Sequence, residues 1–348
     1  MKRTLISLAV AAAIPALFAT TAHAQSRVGG DVDTNTRVGA ILQNNVGIAN
    51  KNEAKVGSVS QSRVGGDVTT NTRVGAILQN NVGIANTNET AVGSVVQSRV
   101  GGDVDTNTRV GAILQNNVGI ANKNEANVGS IVDSRVGGDV TTNTRVGAVL
   151  QNNVGIANKN ETNIGSVSGS RVGGDVDTNT RVGAVLQNNV GIANTNEANI
   201  GSVVDSRVGG DVTTNTRVGA VLQNNVGIAN KNETNIGSVT DSRVGGDVDT
   251  NTKVGAVLQN NVGIANKNEA NIGSVVDARV GGDVTTNTRV GAVLQNNVGI
   301  ANKNEANIGS VVGSNVGGDV NTNTRVGAVL QNNVGIANSN EASIGSID

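Results

Sequence analysis

Few side chains in this chain could carry covalent or metal chemistry. The single His, Met, Pro and Phe are His23, Met1, Pro15 and Phe18, all within the first 24 residues, and Cys, Trp and Tyr are absent throughout. Beyond residue 24 there is no imidazole or thiolate to ligate a transition metal, no Ser–His or Cys–His pair and no redox disulfide, so an enzyme is not expected. What recurs is Gly29-Gly30-Asp31, the pair Thr34-Asn35-Thr36, and the amides Asn44, Asn45, Asn50 and Asn52. The Gly-Asp turn has the flavour of a calcium site, but the nine-residue G-G-x-G-x-D period of such sites is missing, and Asp31 reads as a solvated turn residue. Regular Thr-x-Thr pairs on a flat face would suit ice binding. Asn88-Glu-Thr90, Asn160-Glu-Thr162 and Asn232-Glu-Thr234 match the glycosylation sequon, which drift at a surface position explains more simply.

These residues are positioned by a repeat. Val-Gly occurs at Val28, Val38, Val46 and Val56, spaced 10, 8 and 10 residues apart, and again at Val64. The half-motif is 18 residues long, the full repeat is 36, and nine repeats occupy Gln25–Asp348. A fixed period over so long a stretch signals a solenoid. Ahead of it, Lys2-Arg3, the apolar run from Leu5 to Leu17 and Ala22-His23-Ala24 have the order of a secretory signal peptide, residues 1–24, which implies a secreted, extracellular or cell-surface product. Without Lys2 and Arg3, 24 basic residues face 27 acidic ones, a net charge of −3. A strongly basic footprint for nucleic acid is therefore not expected. No apolar run after the leader is long enough for a membrane span.

Within a half-repeat, Val38, Ala40 and Leu42, then Val46 and Ile48, alternate with the period of a strand that buries one face. Asp33-Thr34-Asn35, Asn44-Asn45 and Asn50-Lys51-Asn52 supply turn formers between such runs. The Gly after each Val serves either to flatten the sheet or to let backbones approach. Charge decides the expected coil length, because residues one coil apart stack at about 4.8 Å. A 36-residue coil puts Asp31, Asp67 and Asp103 in one column, each contact costing roughly 1 kcal/mol in water. An 18-residue coil interleaves them with Ala49 and Ala85, sets Arg27 beside Asn45 and sets Asp33 beside Lys51. The expectation is an all-β β-solenoid, residues 25–348, of about 18 coils of 18 residues with cross-β-like stacking, a rod of about 85 Å. Its repeat-stacking residues are Val28, Val38, Asn45, Val46, Gly47, Asn50 and Val56, with amide ladders interrupted because Asn45 alternates with Arg63 and Asn50 with Val68.

The segment Asn45-Val-Gly47-Ile-Ala-Asn50-Lys-Asn52-Glu-Ala54 resembles the curlin repeat, Q-x-G-x-x-N-x-A, of bacterial functional amyloids. Gly47 and Asn50 match, Asn45 stands where that family has Gln, and Asn52 replaces the Ala. The resemblance implies a biofilm or surface fibre whose subunits polymerise outside the cell, with self as the main partner and a nucleator or an outer-membrane secretion factor as further ones. Independently, recurrent amides at one phase are what a cross-β stack uses. The expected function is head-to-tail polymerisation into an amyloid-like fibre, through a joint in which Arg27, Asp31 and Asn35 meet Asn333, Ala337 and Glu341, neither end having a cap. The last repeat also replaces the usual Arg, Asp or Thr, and Lys by Asn315, Asn321 and Ser339. The alternative is a monomeric solenoid that binds ice or, as an adhesin, a cell-surface ligand; no cofactor or metal is expected in either case.

Overall fold

The structure is a computed structural model that describes residues 27–348; the expected signal peptide lies outside the described residues. The first coil contains four strands, β1 (Arg27–Val28), β2 (Val32–Ile48), β3 (Lys51–Val56) and β4 (Val59–Ser60). Each pairs in parallel with its counterpart 36 residues on: Arg27 with Arg63, Val32 with Val68, Lys51 with Thr87, Val59 with Val95. Three sheets of nine strands and one of eight result, and the bridge Val311–Ile347 extends the fourth. The fold is thus an all-β parallel solenoid of about nine turns with about 36 residues per turn and no helix among the described residues.

This corrects the expected coil of 18 residues and halves the rod, whose nine coils span about 38 Å at ~4.8 Å per step. The like-charge columns that weighed against a long coil do exist, but each is relieved locally. The Asp67 N–H donates to Asp31 Oδ1 at 3.1 Å, and the Asp103 N–H to Asp67 Oδ1 at 2.9 Å, so each carboxylate of that column caps the backbone of the next coil. The Glu53 column is threaded by Lys, as in Lys123–Glu125 at 2.9 Å and Lys159 between Glu161 at 3.1 Å and Glu197 at 3.6 Å. Arg27, Arg37 and most of their counterparts project into solvent, where repulsion at ~4.8 Å is only about 1 kcal/mol before salt screening. Against this, an 18-residue register would stack Arg63 on Asn45, an amide only 4 % exposed, and burying an unpaired charge costs several kcal/mol.

Two apolar cores run the length of the rod. One joins β1, β4 and the start of β2, through Val64, Val68 and Val59 and their counterparts. The other joins the far part of β2 to β3, through Ile41, Val74, Ile77 and Val92. Between them lies the corner at Gly57, with φ 55°, where Thr34 Oγ1 donates to Gly57 O at 3.0 Å. A Cβ on Gly93, its counterpart, would collide with the Thr108 hydroxyl, so glycine serves this corner in both backbone conformation and space.

The long strand changes phase once. In the second coil Val68, Thr70, Thr72 and Val74 point inward, then Ile77, Gln79 and Asn81 do, so the alternation slips by one residue at Gly75-Ala76. Gly75 sits outside the register that pairs Val74 with Val38 and Ala76 with Ala40, and a Cβ there would strike the Gly39 carbonyl. At this position close backbone approach is the use of the glycine after Val.

Candidate assembly surfaces

The phase slip decides which side chains face water. Leu42, Val46 and Ile48, expected inside, are outside: in the second coil Leu78 is 38 %, Val82 36 % and Ile84 45 % exposed, while Gln79 is 1 % and Asn81 0 % exposed. The expected short run carried the phase of Val38 past Gly39 to Leu42 and set turns at Asp33-Thr34-Asn35 and Asn44-Asn45, whereas both segments lie inside the single strand Val32–Ile48.

Most of the buried amide groups are satisfied by a copy of the same residue, by the backbone or by a β3 side chain in a neighbouring coil; Asn81 Oδ1 is the exception among the amides. Gln79 Nε2 donates to Gln43 Oε1 at 2.9 Å and Gln115 Nε2 to Gln79 Oε1 at 2.8 Å. Asn81 Nδ2 donates to Asn124 Oδ1 at 2.8 Å, to the Lys123 carbonyl at 2.8 Å and to Asn117 Oδ1 at 3.1 Å. At the corner, the Asn50 N–H donates to Asn86 Oδ1 at 3.0 Å, and Asn86 Nδ2 to Val82 O at 3.0 Å. The Gln ladder runs from Gln43 to Gln331 and the Asn ladder from Asn81 to Asn297, with no Arg63 or Val68 between their members as the shorter register required.

Of the other stacking residues, Val28 pairs with Val64, while Val38 and Val56 pack on the second core. Gly47 stacks on Gly83 with φ near 127°, next to Ala49 with φ 56°. Asn88, Asn160 and Asn232, the sequon residues, are fully buried in the Asn52 column, so they are not surface positions. Thr34 and Thr36 point inward, and their counterparts Thr70 and Thr72 are 0 % and 2 % exposed; the Thr-x-Thr array lies in the interior, not on a flat outer face.

Arg27, Asp31 and Asn35 lie in the first coil and Asn333, Ala337 and Glu341 in the last, at opposite ends of the rod. The observed register places Asn333 in the column of Asn45, Ala337 in that of Ala49 and Glu341 in that of Glu53. The expected partners across a joint, worked out for the shorter coil, are re-dealt accordingly.

Four carboxylates of this column divide by whether their own strand carries a Lys. Where Thr87 and Thr195 replace Lys, burial and the neighbouring carboxylates raise the pKa of Glu89 and Glu197. At Glu125 and Glu269 burial pushes the same way, but attraction and hydrogen bonding from Lys123 and Lys267 prevail and the pKa is lowered. Two grooves follow the rod: a polar one of about 1450 Å³ beside the Gln61 and Arg63 columns, and an apolar one of about 1280 Å³ along Arg37-Val38-Gly39. Among the described residues no cluster of His, Cys, Asp or Glu is arranged to hold a metal, and no helix is long and apolar enough to cross a membrane. No protein-family model, curated protein or solved structure matches the chain.

Proposed function

We propose that the chain is a secreted structural subunit that polymerises head to tail into an extracellular, amyloid-like fibre with cross-β stacking. The observation that carries this reading is the composition of the last coil in the 36-residue register. Asn315, Asn321 and Ser339 occupy the columns of Arg27, Asp33 and Lys51, so the first coil of an incoming subunit would set each of those charges on a neutral side chain. The backbone is equally matched: Gly65 N–H donates to Val28 O within the rod, and Gly29 of the incoming subunit would donate in the same way to Val316 O. Gln43 of that subunit would continue the buried amide ladder on Gln331, as Gln79 does on Gln43. Export is supported by the charge and apolar pattern of residues 1–24. The burial of the Thr pairs removes the feature that pointed to ice.

The test uses the direction of the backbone bonds. Val32 N–H and Val59 N–H donate to the following coil, to Asp67 O and Ser94 O, so those of Val320 and Ile347 point off the last coil. Substituting Val320→Pro and Ile347→Pro removes only outward-pointing donors and places ring carbons where a subunit would dock. Seeded growth, followed by thioflavin fluorescence and electron microscopy, should stop while circular dichroism stays that of the parent. Elongation at the parent rate by the folded double variant would overturn the end-to-end joint.

A further inference from the structure

We propose that the outward face of Ala40, Leu42, Asn44, Val46 and Ile48, repeated in every coil, is a dry sheet-to-sheet interface with a second copy of this chain, so that rods associate side by side. This goes beyond end-to-end growth and uses a different surface. The first argument is size. Eight steps of ~4.8 Å along the rod by the eight rises of ~3.3 Å from Ala40 to Ile48 give a face of roughly 1,000 Å². A stable interface takes about 800 Å² from each partner, whereas the largest apolar patch of an ordinary monomer is about 300–600 Å².

The second argument is composition. None of the five outward positions carries a charge or changes identity in any of the nine repeats, although outward positions elsewhere do change, such as Asp33 to Thr69 and Lys51 to Thr87. The inward neighbour Ile41 gives way to Val149 and later Val residues, so this strand's core position drifts while its outer face does not. A face that met only water would have no reason to keep Leu, Val and Ile in place of polar residues.

The third argument is that the one polar column on the face is already satisfied. Asn80 Nδ2 donates to Asn44 Oδ1 at 3.0 Å and Asn116 Nδ2 to Asn80 Oδ1 at 2.9 Å, and the ladder continues to Asn332. An amide bonded along its own column can be dehydrated by a partner without losing that bond. A two-fold axis parallel to the rod sets the Leu42 column against the partner's Ile48 column and Asn44 against Val46. The contact is self-complementary, as a closed dimer requires, and it leaves both rods with the same polarity.

The experiment separates pairing from elongation by using the end-blocked chain, Val320→Pro with Ile347→Pro. Sedimentation velocity at about 100 µM should give twice the mass of one chain. Adding Val154→Lys and Val190→Lys should reduce it to a single chain, with association weakened at least about 100-fold. The milder pair Val154→Thr and Val190→Thr, which keeps shape and strand propensity, should weaken it by less. Asn143→Lys and Asn179→Lys, which add the same charge on the outward side of the strand's other half, should leave the dimer intact. A monomeric end-blocked parent, or equal dissociation by both Lys pairs, overturns the proposal. Should the end-blocked chain still form fibres, the end-to-end joint fails, and pairing is then read from fibre mass per length: two chains per rod length supports it, one overturns it.

Discussion

From Val32 to Val38 the long strand hides Val and Thr and shows Asp33, Asn35 and Arg37 to solvent. From Ala40 to Ile48 it hides Ile41, Gln43 and Asn45 and shows Leu42, Val46 and Ile48. The two halves share a strand and opposite polarity, divided by the slip at Gly39. What makes the second half tolerable is repetition: a buried amide normally needs a dedicated partner, and here most find one in a copy of the same residue or in β3 of the next coil. Hydropathy alone therefore does not decide which way a side chain points in a stack of identical coils.

Adjacent residues on opposite sides of the second half offer the sharpest way to break this comparison. Asn153 donates to Thr195 O at 2.8 Å, to Asn196 Oδ1 at 2.7 Å and to Asn189 Oδ1 at 3.1 Å, and it accepts from Asn117. Asn153→Leu leaves these groups unpaired in the interior and is expected to cost at least about 3 kcal/mol of local stability, despite adding an apolar side chain. Hydrogen exchange resolved by coil is the measurement to use, since a solenoid need not unfold in one step. Unchanged protection around Asn153 would mean that the interior is not held by amide ladders.

A smaller effect concerns the charged columns. Thr195→Lys supplies Glu197 with the partner that Glu125 has in Lys123, and is expected to stabilise the coil by up to about 1 kcal/mol near neutral pH, as a half-exposed pair does. The sign follows from the pKa directions. Glu197, raised in the fold, binds its proton more tightly there than when unfolded, so stability falls as pH climbs through the range above the ordinary Glu value. Glu125, lowered in the fold, contributes stability that is present above that ordinary value and is lost as pH drops through the lowered one. The substitution should move Glu197 from the first behaviour toward the second. Melts should therefore show a gain near neutral pH that disappears in acid, once the carboxylate is protonated in the folded chain too. A gain persisting in acid would exclude the ion pair as its cause.

The smallest effect is expected on the outer face. Leu186→Gln, 38 % exposed in the parent, should change the stability of the end-blocked, unpaired chain by no more than about 0.5 kcal/mol in a thermal melt. A loss comparable to that of Asn153→Leu would show that Leu186 packs inside and would reverse the polarity of the second half.

Much of the architecture was legible in the residues. The 36-residue period, the absence of Cys and of Pro beyond Pro15, and the β-branched runs call for a Pro-free β-solenoid, whereas Asp33-Thr34-Asn35 and Asn44-Asn45, expected as turns, lie within a strand. Asn45 pairs with Asn81 and Val56 with Val92 one turn on, and the Asn50 N–H meets Asn86. The coil length was not legible from charge, since the Asp31 carboxylate bonds the next N–H and Lys159 bridges two Glu residues, contacts that a column of one-letter codes does not show. Nor was the outward face of Leu42, Val46 and Ile48, because its phase depends on a single glycine.

By itself the sequence determined the repeat, the all-β solenoid and the residues available for stacking, because period and backbone propensity are local properties of the chain. Only the tertiary structure decided that about 36 residues close each turn and that Gln43 and Asn45 go in while Leu42 and Val46 go out. Those choices rest on whole columns of buried amides being satisfied together, an energy that exists only once the coils are stacked.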